Sequence, residues 1–506
     1  MTRPAATPAP AASDPRPSPR GARAAARRLA FLGACVAFLW VPSSGGPALA
    51  AAAVAPTAAA ARAGPDTSSL EELEHRTFAF FWETTNPRNG LVPDRYPTPS
   101  FASVAAVGFG LTAYPIGVER GYVTREQAAA RVLATLRFFL DAPQGPQAIH
   151  VTGYKGFYYH FLDMQTGLRF SPKVELSTID TSLFLAGALF CEGYFDRPDA
   201  AETEIRRIAD QLYRRVDWAW ASRSGGAVAL GWTPERGFHP MNWRGYNEGM
   251  IIYLLGLGSP TLPLPDGAWQ RWTASYGAAW QTGYGQTYLT FPPLFGHQFS
   301  HVWVDFRGVQ DAFMRQRGID YFENTRRATY AQQAYAIANP LHWAGYGERL
   351  FGISASDGPA NFRVTWNGRP RVFRRYAARG MGGEGAYDDG TLSPTALVSS
   401  VAFAPEIVLP AVEEIELHHS AVFSTYGFLD AFNPSFDFDT PVTSGRRIAG
   451  SGWVDGDYLG IDEGSVIAMI ENYRSDLVWR VMRASPYLRQ GLARAGFSGG
   501  WLDAKR

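Results

Sequence analysis

The chain has 506 residues, of which 46% are apolar and 18% are charged, and its formal net charge is +1. This composition supports a large hydrophobic core and excludes a disordered or fibrous protein. Residues 1–50 contain six arginines and one aspartate, so without them the formal net charge falls from +1 to −4. Because nucleic acid and anionic membrane surfaces bind basic faces, we expect neither as a partner.

The first 50 residues have the pattern of a secretory signal peptide. Four arginines between residues 20 and 28 precede the apolar run 29–41, and Ala-Leu-Ala at 48–50 is a small-residue cleavage pattern. This run is shorter than the roughly twenty residues of a membrane-spanning helix, so no membrane span is predicted. A bacterial lipoprotein box ending at Cys35 is the alternative, although the apolar run continues past that cysteine. We expect a secreted or periplasmic protein, with a lipoprotein tether through Cys35 as the less favoured form.

The remaining chain is predicted to hold one folded domain. Residues 51–68 are rich in alanine and proline, a composition that cannot bury a core and predicts a linker. Helical patterns extend over residues 69–490, and residues 491–506 are predicted to be a C-terminal tail. After the first 50 residues only Cys191 remains, which excludes an intramolecular disulfide and a zinc site with two cysteines. We expect a monomer.

Helical periodicity dominates this domain. The predicted helices are about 69–82, 103–120, 124–141, 177–193, 200–222, 246–257, 268–281, 306–316, 321–338, 393–404, 406–419 and 463–474. Strand patterns are few, and a β-hairpin is predicted for 362–366 and 371–373 around Asn367-Gly368. Helices in successive pairs with long loops predict an all-α fold, an (α/α)6 barrel with a small β-hairpin excursion. An α-solenoid is the alternative, but no repeated sequence period supports it.

Three carboxylates stand at predicted helix starts within aromatic sequence, which favours sugar chemistry. Asp180 follows the N-cap residue Ser177, Glu248 precedes an apolar helix, and Glu463 begins the last predicted helix. Each has a structural alternative, because acidic residues cap helices and favour the positive end of the helix dipole. Meeting at one pocket, the three could supply the acid and base that cleave a glycosidic bond. One carboxyl would then need a pKa raised by burial or by a neighbouring carboxylate.

Aromatic and polar residues near these helix starts are candidates for binding sugar, because flat rings pack against the apolar faces of pyranoses. The predicted binding residues are Tyr158, Trp243, Tyr246, Asn247, His297, Gln298, His301, Trp303 and Tyr387. Glu384, in a glycine-rich loop before Tyr387, is a further candidate catalytic carboxylate.

His297 and His301 have the four-residue spacing of a helical metal pair. The helix is predicted to begin only after them, however, and no acidic residue follows in metalloprotease register. We therefore predict no metal site and no cofactor, and an activity that survives chelation. P-loop, Rossmann, kinase and nucleophile-elbow patterns are also missing from the sequence.

Several motifs in order give the chain a family resemblance. They are FFWE (80–83), NGLVPDR (89–95), SVAAVGFGL (103–111), GFYYHF (156–161), STIDT (177–181), YNE (246–248), GHQFSH (296–301) and MIENYR (469–474). With these motifs the chain resembles the glycoamylase-like family, which includes bacterial endo-β-1,2-glucanases and the terminal domain of cyclic β-1,2-glucan synthases. The resemblance covers nearly all of residues 69–490.

The resemblance implies an (α/α)6 barrel and a secreted or periplasmic enzyme that acts on β-linked glucan. It also implies acidic pocket roles for Asp180 and Glu248, and more weakly for Glu384 and Glu463. Many members of the family have Gln followed by Gly-Pro where this chain has Glu463-Gly464-Ser465. Glu463 is therefore either a binding residue or a member of a different catalytic set.

We predict a glycoside hydrolase of β-1,2-glucan with Glu248 as the general acid and Asp180 or Glu463 as the second carboxylate. A carboxylate separation of about 6.5 to 9.5 Å would indicate inversion, and one of about 5 to 5.5 Å would indicate retention. A transglycosylase and a non-catalytic glycan-binding protein are the alternatives.

Overall fold

The computed structural model describes residues 68–381 and 386–504. The predicted signal peptide, the linker as far as residue 67, and Glu384 lie outside the described residues. Within the two described ranges, no helix combines the length and the hydropathy needed to cross a membrane.

The described part of the chain is rich in helix. The α-helices are α1 (Ser68–Thr84), α2 (Val104–Glu119), α3 (Arg125–Asp141), α4 (Thr178–Tyr194), α5 (Ala200–Arg214), α6 (Trp218–Ala221), α7 (Met250–Gly258), α8 (Ala268–Thr273), α9 (Tyr276–Ala279), α10 (Phe295–Trp303), α11 (Ala312–Arg317), α12 (Tyr321–Ala338), α13 (Pro394–Val398), α14 (Pro405–His418), α15 (Gly460–Ser475), α16 (Leu477–Met482), α17 (Pro486–Arg494) and α18 (Gly500–Asp503).

Short strands lie in the loops between these helices. They are β1 (Arg95–Tyr96), β2 (Ala102–Ser103), β3 (Gly153–Tyr154), β4 (Phe157–Tyr159), β5 (Phe161–Leu162), β6 (Leu176–Ser177), β7 (Gly231–Thr233), β8 (Gly237–Phe238), β9 (Trp280–Gly283), β10 (Gln286–Leu289), β11 (Ala355–Ser356), β12 (Phe362–Trp366), β13 (Arg369–Phe373), β14 (Ala377–Ala378), β15 (Phe423–Ser424), β16 (Gly427–Phe428), β17 (Phe432–Asn433), β18 (Arg446–Ile448), β19 (Gly452–Val454) and β20 (Tyr458–Leu459).

Six helices of the described residues, α2, α4, α7, α10, α13 and α15, are buried along most of their length and contact one another in a closed order. Helix α2 packs against α4, and α4 packs against α7. Ser300 Oγ of α10 accepts the Ile251 amide of α7 at 3.1 Å, and Gln298 Nε2 of α10 donates to the Ala396 carbonyl of α13 at 2.7 Å. Helix α13 packs against α15, which returns to α2. Helices α1, α3, α5, α12, α14 and α17 pack outside this set.

The starts of α2 and α4 are determined by N-cap serines. Ser103 Oγ accepts the Ala106 amide at 3.3 Å, and Ser177 Oγ accepts the Asp180 amide at 3.2 Å. Such a cap contributes about 1 kcal/mol and specifies where the helix begins. The start of α4 therefore places Asp180 in its first turn.

Helices α2 and α4 approach closely because their glycines face each other. A Cβ atom on Gly108 would lie 2.3 Å from the Leu183 carbonyl oxygen, and one on Gly187 would lie 2.1 Å from the Gly108 carbonyl oxygen. Both distances are shorter than real Cβ contacts, so a larger side chain at either position would push the two helices apart.

A five-stranded antiparallel sheet in the order β3-β4-β6-β7-β8 lies beside the start of α4. In its register Tyr158 lies opposite Ser177, and Ser177 lies opposite Gly231. Because β6 continues directly into α4, the sheet positions the N-terminus of that helix. His160 follows β4 and is thereby held next to this N-terminus.

Several sequence predictions are confirmed to within about three residues at each end. They are the helices observed as α2, α3, α4, α12, α14 and α15. The predicted hairpin is also present as β12 and β13, joined through Asn367 and Gly368, whose φ angles are 50° and 71°. Two consecutive residues with positive φ are the requirement of a type I′ turn, which asparagine and glycine meet at little cost.

The helix near His297 was predicted incorrectly. Helix α10 contains both His297 and His301, whereas the sequence pattern placed a helix start after them. The N-cap position of α10 is Leu294 and makes no side-chain capping bond, so burial rather than a local cap signal specifies this helix. The helix predicted at 306–316 is only α11, because Asp311 caps it by accepting the Met314 amide at 2.9 Å.

Other boundaries also differ from the predictions. The segment 200–222 is broken into α5 and α6, and the predicted helix 393–404 ends with α13. Helix α17 crosses the predicted boundary at residue 490 and packs against α7, with Leu492 fully buried. Most strands were missed because two or three residues show no alternation of polar and apolar side chains.

Candidate active site

The N-termini of α4, α7 and α15 lie close together. Asp180 stands in the first turn of α4, Glu248 two residues before α7, and Glu463 in the first turn of α15. Electrostatic interactions connect Glu248 to Asp180, Asp180 to Asp94, and Asp94 to Asp462. Glu248 and Asp180 therefore interact directly, and Glu463, which interacts with Asp462, is linked to them through Asp462 and Asp94.

Both carboxylate oxygens of Asp180 are engaged by neighbouring side chains. The Ser177 hydroxyl donates to Oδ2, and His160 Nε2 lies 3.4 Å from Oδ1. On its other side, His160 Nδ1 lies 2.9 Å from Glu175 Oε1. Glu175, His160 and Asp180 thus form a linear chain in which the imidazole is oriented by both carboxylates.

The pKa values of His160, Asp180 and Glu175 depend on one another. Burial lowers the pKa of His160, but Asp180 and Glu175 outweigh it and raise this pKa to about 9. At neutral pH His160 is therefore an imidazolium between two carboxylates. Burial raises the pKa of Asp180, while His160 and Ser177 act in the opposite direction. The net pKa of Glu175 is lowered, because His160 outweighs the effect of burial.

Glu248 has a different environment. Glu248 is 3% exposed, and its Oε2 atom has no hydrogen-bond partner among the described residues. Ser300 of α10 donates to its main-chain carbonyl at 3.0 Å and so holds the backbone in place. Burial, with a smaller contribution from Asp180, raises the pKa of Glu248 to about 7. A carboxyl of this kind can hold a proton at neutral pH and give it to a bound group.

Glu463 is buried more completely than Glu248. Neither of its carboxylate oxygens has a hydrogen-bond partner within the described ranges. Burial raises its pKa well above the ordinary value, and the nearby Asp430 adds to the effect. Burial thus favours the protonated form of the Glu463 carboxyl.

Several aspartates around Glu463 form what we call the acidic cluster, which consists of Asp357, Asp430, Asp455, Asp457 and Asp462. In the part of the chain that the structure describes, Arg95 is the one basic residue that forms salt bridges with it. Arg95 Nη1 lies 2.6 Å from Asp357 Oδ2 and 3.6 Å from Asp457 Oδ2. Burial raises the pKa of Asp462 to about 8 and also raises that of Asp430.

Four of the predicted sugar-binding residues are buried and form hydrogen bonds with other groups of the protein. The Tyr158 hydroxyl donates to the Phe139 carbonyl at 2.8 Å, and Trp303 Nε1 donates to Thr112 at 3.0 Å. Gln298 Nε2 donates to the Ala396 carbonyl and the Ser400 hydroxyl, and His301 Nε2 lies 3.0 Å from the Thr325 hydroxyl. These contacts connect β4 to α3, and α10 to α2, α12 and α13.

Trp243, Tyr246 and Asn247, the other predicted binding residues before α10, lie in the loop that leads to Glu248 and α7. Trp243 Nε1 donates to the Thr178 hydroxyl at 3.0 Å, which ties this loop to the start of α4. Asn247 Oδ1 accepts the Gly249 amide at 2.9 Å and shapes the turn that carries Glu248. The rings of Tyr246 and His297 lie 5.0 Å apart.

The glycine-rich loop contributes through Tyr387. Its hydroxyl donates to Asp389 Oδ2 at 2.8 Å and to the Val372 carbonyl at 2.7 Å. These bonds hold the Tyr387 side chain in position. The neighbouring candidate Glu384 lies outside the described residues.

The two histidines of α10 are neutral core residues. Burial lowers the pKa of His297 to about 4 and that of His301 to about 3. His297 Nε2 lies 3.1 Å from the Phe291 carbonyl oxygen. Within the described ranges, Asp357, Asp430 and Asp455 each place one carboxylate oxygen within 4.8 Å of the other two.

Aromatic side chains lie beside His160. Phe161 stacks on the His160 ring at a centroid distance of 3.8 Å. Phe101 contacts Phe161 at 4.1 Å and Phe170 at 4.9 Å, and Phe170 is 48% exposed. Exposed rings next to carboxylates offer apolar faces on which a pyranose can pack.

Five residues of this region were not predicted from the sequence as site residues: His160, Asp94, Arg95, Asp357 and Asp430. The first three lie within motifs that carried the family resemblance, which was the available signal. Asp357 and Asp430 had none, because they are far apart in the chain and follow no spacing rule. Glu175 lies two residues before the N-cap Ser177, and the structure pairs it with His160.

Comparison with known proteins places this arrangement in a family. The profile of the family described as "Putative glucoamylase" matches residues 240–486. The crystal structure of a protein with the same description from Bacteroides uniformis is 30% identical, covers 88% of this chain and 100% of that chain, and superposes with a TM-score of 0.74. The chain belongs to the glycoamylase-like family.

Two relatives in this glycoamylase-like group carry activity names. An endo-beta-1,2-glucanase from Chitinophaga pinensis, solved with sophorotriose and glucose, is 27% identical, covers 86% of this chain and 99% of that chain, and has a TM-score of 0.71. An exo beta-1,2-glucooligosaccharide sophorohydrolase from Parabacteroides distasonis is 27% identical over 462 residues, which are 85% of this chain. The chain spans 58% of the length of that relative.

Proposed function

We propose that the protein is a secreted glycoside hydrolase that cleaves β-1,2-glucan. The observation that carries this proposal is Glu248, a buried carboxyl with one unpartnered oxygen and a pKa raised to about 7 beside Asp180. Glycosidases need one carboxyl that holds a proton and a second that acts as a carboxylate. The names of the family members from C. pinensis and P. distasonis support the β-1,2 linkage.

In this proposal Glu248 is the general acid. It donates its proton to the glycosidic oxygen as the bond to the anomeric carbon breaks, which removes the cost of expelling an alkoxide. Its free Oε2 is available to the substrate because the described protein groups leave it without a hydrogen bond.

Asp180 is the second carboxylate. Burial raises its pKa, and His160 and Ser177, which each contact one of its oxygens, act against this effect and favour the carboxylate that acts at the anomeric centre. Glu463, the alternative from the sequence, has no such partner among the described residues, and burial raises its pKa well above the ordinary value. His160 is a positioning residue that acts through Asp180 and Glu175.

The architecture we propose is an (α/α)6 barrel. Helices α2, α4, α7, α10, α13 and α15 would form the inner ring, since they are buried and contact one another in a closed order. Loops at their N-termini would then form the pocket. The positive ends of the helix dipoles would favour the carboxylates placed there.

The substrate proposal is tested by product analysis. The purified protein is incubated with β-1,2-, β-1,3-, β-1,4- and β-1,6-linked glucans, and products are separated by chromatography while new reducing ends are counted. We expect oligosaccharides and new reducing ends from the β-1,2-glucan alone. Chain redistribution without new reducing ends would instead show a transglycosylase, and binding without either product would show a glycan-binding protein.

Export is proposed separately from catalysis. The arginine and apolar pattern of residues 1–50 predicts that the protein recovered from its native host begins near Ala51. N-terminal mass spectrometry checks this. A chain that retains residues 1–28 would contradict export, and a diacylglycerol on Cys35 would show the lipoprotein form.

A further inference from the structure

We propose that Asp357, Asp430 and Asp455 bind a divalent cation, with calcium preferred over magnesium. This site goes beyond the proposed hydrolase activity, and its test needs no glucan. It also departs from the sequence prediction of no metal site.

The three carboxylates are close enough together to bind one cation. One oxygen from each of the three aspartates lies within 4.8 Å of the other two. Calcium takes oxygen ligands at about 2.3 to 2.6 Å, so two ligands on opposite sides of the ion lie about 5 Å apart. Magnesium usually keeps several of its waters rather than binding in a buried cage of protein ligands, which favours calcium at this buried site.

The second observation is that one carboxylate oxygen of Asp430 and one of Asp455 lack a hydrogen-bond partner in the described part of the chain. Asp430 Oδ1 and Asp455 Oδ2 have no hydrogen bond among the described residues, although Asp430 is 0% exposed and Asp455 is 2% exposed. A buried carboxylate oxygen without a partner is costly unless a ligand satisfies it.

The remaining oxygens of the same carboxylates are held by the protein. Asp430 Oδ2 accepts the Asp357 amide at 2.7 Å, and Asp455 Oδ1 accepts the Gly456 amide at 2.7 Å. The Ser444 hydroxyl also donates to Asp455 Oδ1. Each of these two side chains is thus oriented by one oxygen and presents the other, as outer-shell bonds do for metal ligands.

The backbone connects these aspartates rigidly. The Asp455 amide donates to the Ala431 carbonyl at 2.9 Å, and the Asp430 amide donates to the Asp457 carbonyl at 3.0 Å. A third link is the bond from the Asp357 amide to the Asp430 side chain. A site that is organised in advance loses little entropy on binding an ion.

Charge also favours a cation. Arg95 contacts Asp357 and Asp457, which leaves Asp430 and Asp455 without a basic neighbour at salt-bridge distance in the described ranges. Carboxylate ligands without sulfur or imidazole suit calcium, magnesium and manganese rather than zinc. A divalent ion would balance the charge that Arg95 leaves uncompensated.

The test measures cation binding to the purified protein after treatment with EDTA and removal of the chelator. Isothermal titration with CaCl₂ at pH 7 should show one site, and thermal unfolding should shift upward by at least about 2 °C at saturating calcium. Asp430→Asn and Asp455→Asn should each weaken calcium binding at least about tenfold. Asp439→Asn, which changes an exposed aspartate, is the control and should bind as the wild type does.

Several results would overturn the proposal. One is a wild-type protein that shows neither heat nor a change in Tm with calcium, magnesium or manganese. Another is unchanged calcium binding in both Asp430→Asn and Asp455→Asn. A Tm that responds only to falling pH would show that protons balance these carboxylates instead. If one variant fails to fold, the other variant and the wild-type stoichiometry still decide the result.

Discussion

Asp389 and Asp430 are both completely buried, but their surroundings differ. Arg379, itself fully buried, donates to Asp389 through Nε at 2.7 Å and through Nη2 at 3.0 Å. Asp430 contacts no basic side chain within the described residues, and its Oδ1 makes no hydrogen bond there. Burial raises the pKa of Asp430, whereas Arg379 outweighs burial and lowers the pKa of Asp389.

The difference separates carboxylates that stabilise the fold from those available to ligands. Arg379 also donates to the Ser356 carbonyl at 2.6 Å and to the Asp357 carbonyl at 3.2 Å, so it supports the loop that bears part of the acidic cluster. A buried carboxylate with a basic partner should be needed for stability, because removing either group leaves the other charge buried without compensation. A buried carboxylate without a basic partner among the described residues, such as Glu248 or Asp430, should be needed for binding or catalysis.

The largest expected effect is on turnover in Glu248→Gln. The amide keeps the shape of the side chain but cannot donate the catalytic proton, so kcat should fall about a hundred- to ten-thousand-fold. Because Oε2 has no partner to lose among the described residues, the Tm should stay within about 2 °C of wild type. Steady-state kinetics and thermal unfolding check this, with exposed Glu413→Gln as the matched control. Activity within a few-fold of wild type would assign Glu248 a structural role.

Arg379→Met should have the largest effect on stability. It leaves the Asp389 carboxylate buried without its cation, which costs about 3 to 5 kcal/mol of unfolding free energy. Denaturant unfolding measures this loss. Arg375→Met replaces an exposed arginine in the same loop and should change stability by less than about 0.5 kcal/mol. An equally small loss in Arg379→Met would refute the distinction drawn between the two aspartates.

The pH dependence should show which carboxyl holds the proton. The kcat/KM of the wild type should fall as the pH rises through about 7, because Glu248 then loses its proton. The acidic limb should reflect Asp180. Without the imidazolium, His160→Gln should raise the pKa of Asp180 and move that limb to higher pH. His418→Gln, at an exposed histidine, is the control, and a profile in His160→Gln identical to wild type would exclude the positioning role.

Stability provides a second measure of His160. Its folded pKa of about 9 lies above the ordinary value of 6.5, so the imidazolium stabilises the fold fully below pH 6.5. This contribution is lost as the pH rises through about 9. The difference in unfolding free energy between wild type and His160→Gln should therefore shrink over this range, and a difference that grows with pH would contradict the assigned charges.

The smallest effect is expected for the stability of Asp430→Asn in the presence of EDTA. Asparagine keeps an oxygen that can accept the Asp357 amide and removes a buried charge that has acidic neighbours. The unfolding free energy should change by at most about 1 kcal/mol, in the stabilising direction. A loss as large as that expected for Arg379→Met would show that the charge of Asp430 itself stabilises the fold.

Part of this structure could be read from local sequence. Ser177 predicts the start of α4 because its hydroxyl bonds an amide three residues ahead, and Asn367-Gly368 predicts a turn because both residues tolerate positive φ. Helix starts with acidic residues also identified Asp180, Glu248 and Glu463 as candidates. These signals depend on residues only a few positions apart, so they can be recognised without knowledge of the fold.

The tertiary structure decided the rest. Helix α10 has no capping bond at Leu294, so only burial makes it a helix. The acidic cluster joins residues from 357 to 462 with Arg95, and no local pattern relates positions so far apart. The proton affinity of Glu248 likewise depends on burial and on Asp180 across the space between two helices. Sequence thus determined which carboxylates were available, and packing determined which of them are partnered, because desolvation and charge pairing depend on distances that only the folded chain sets.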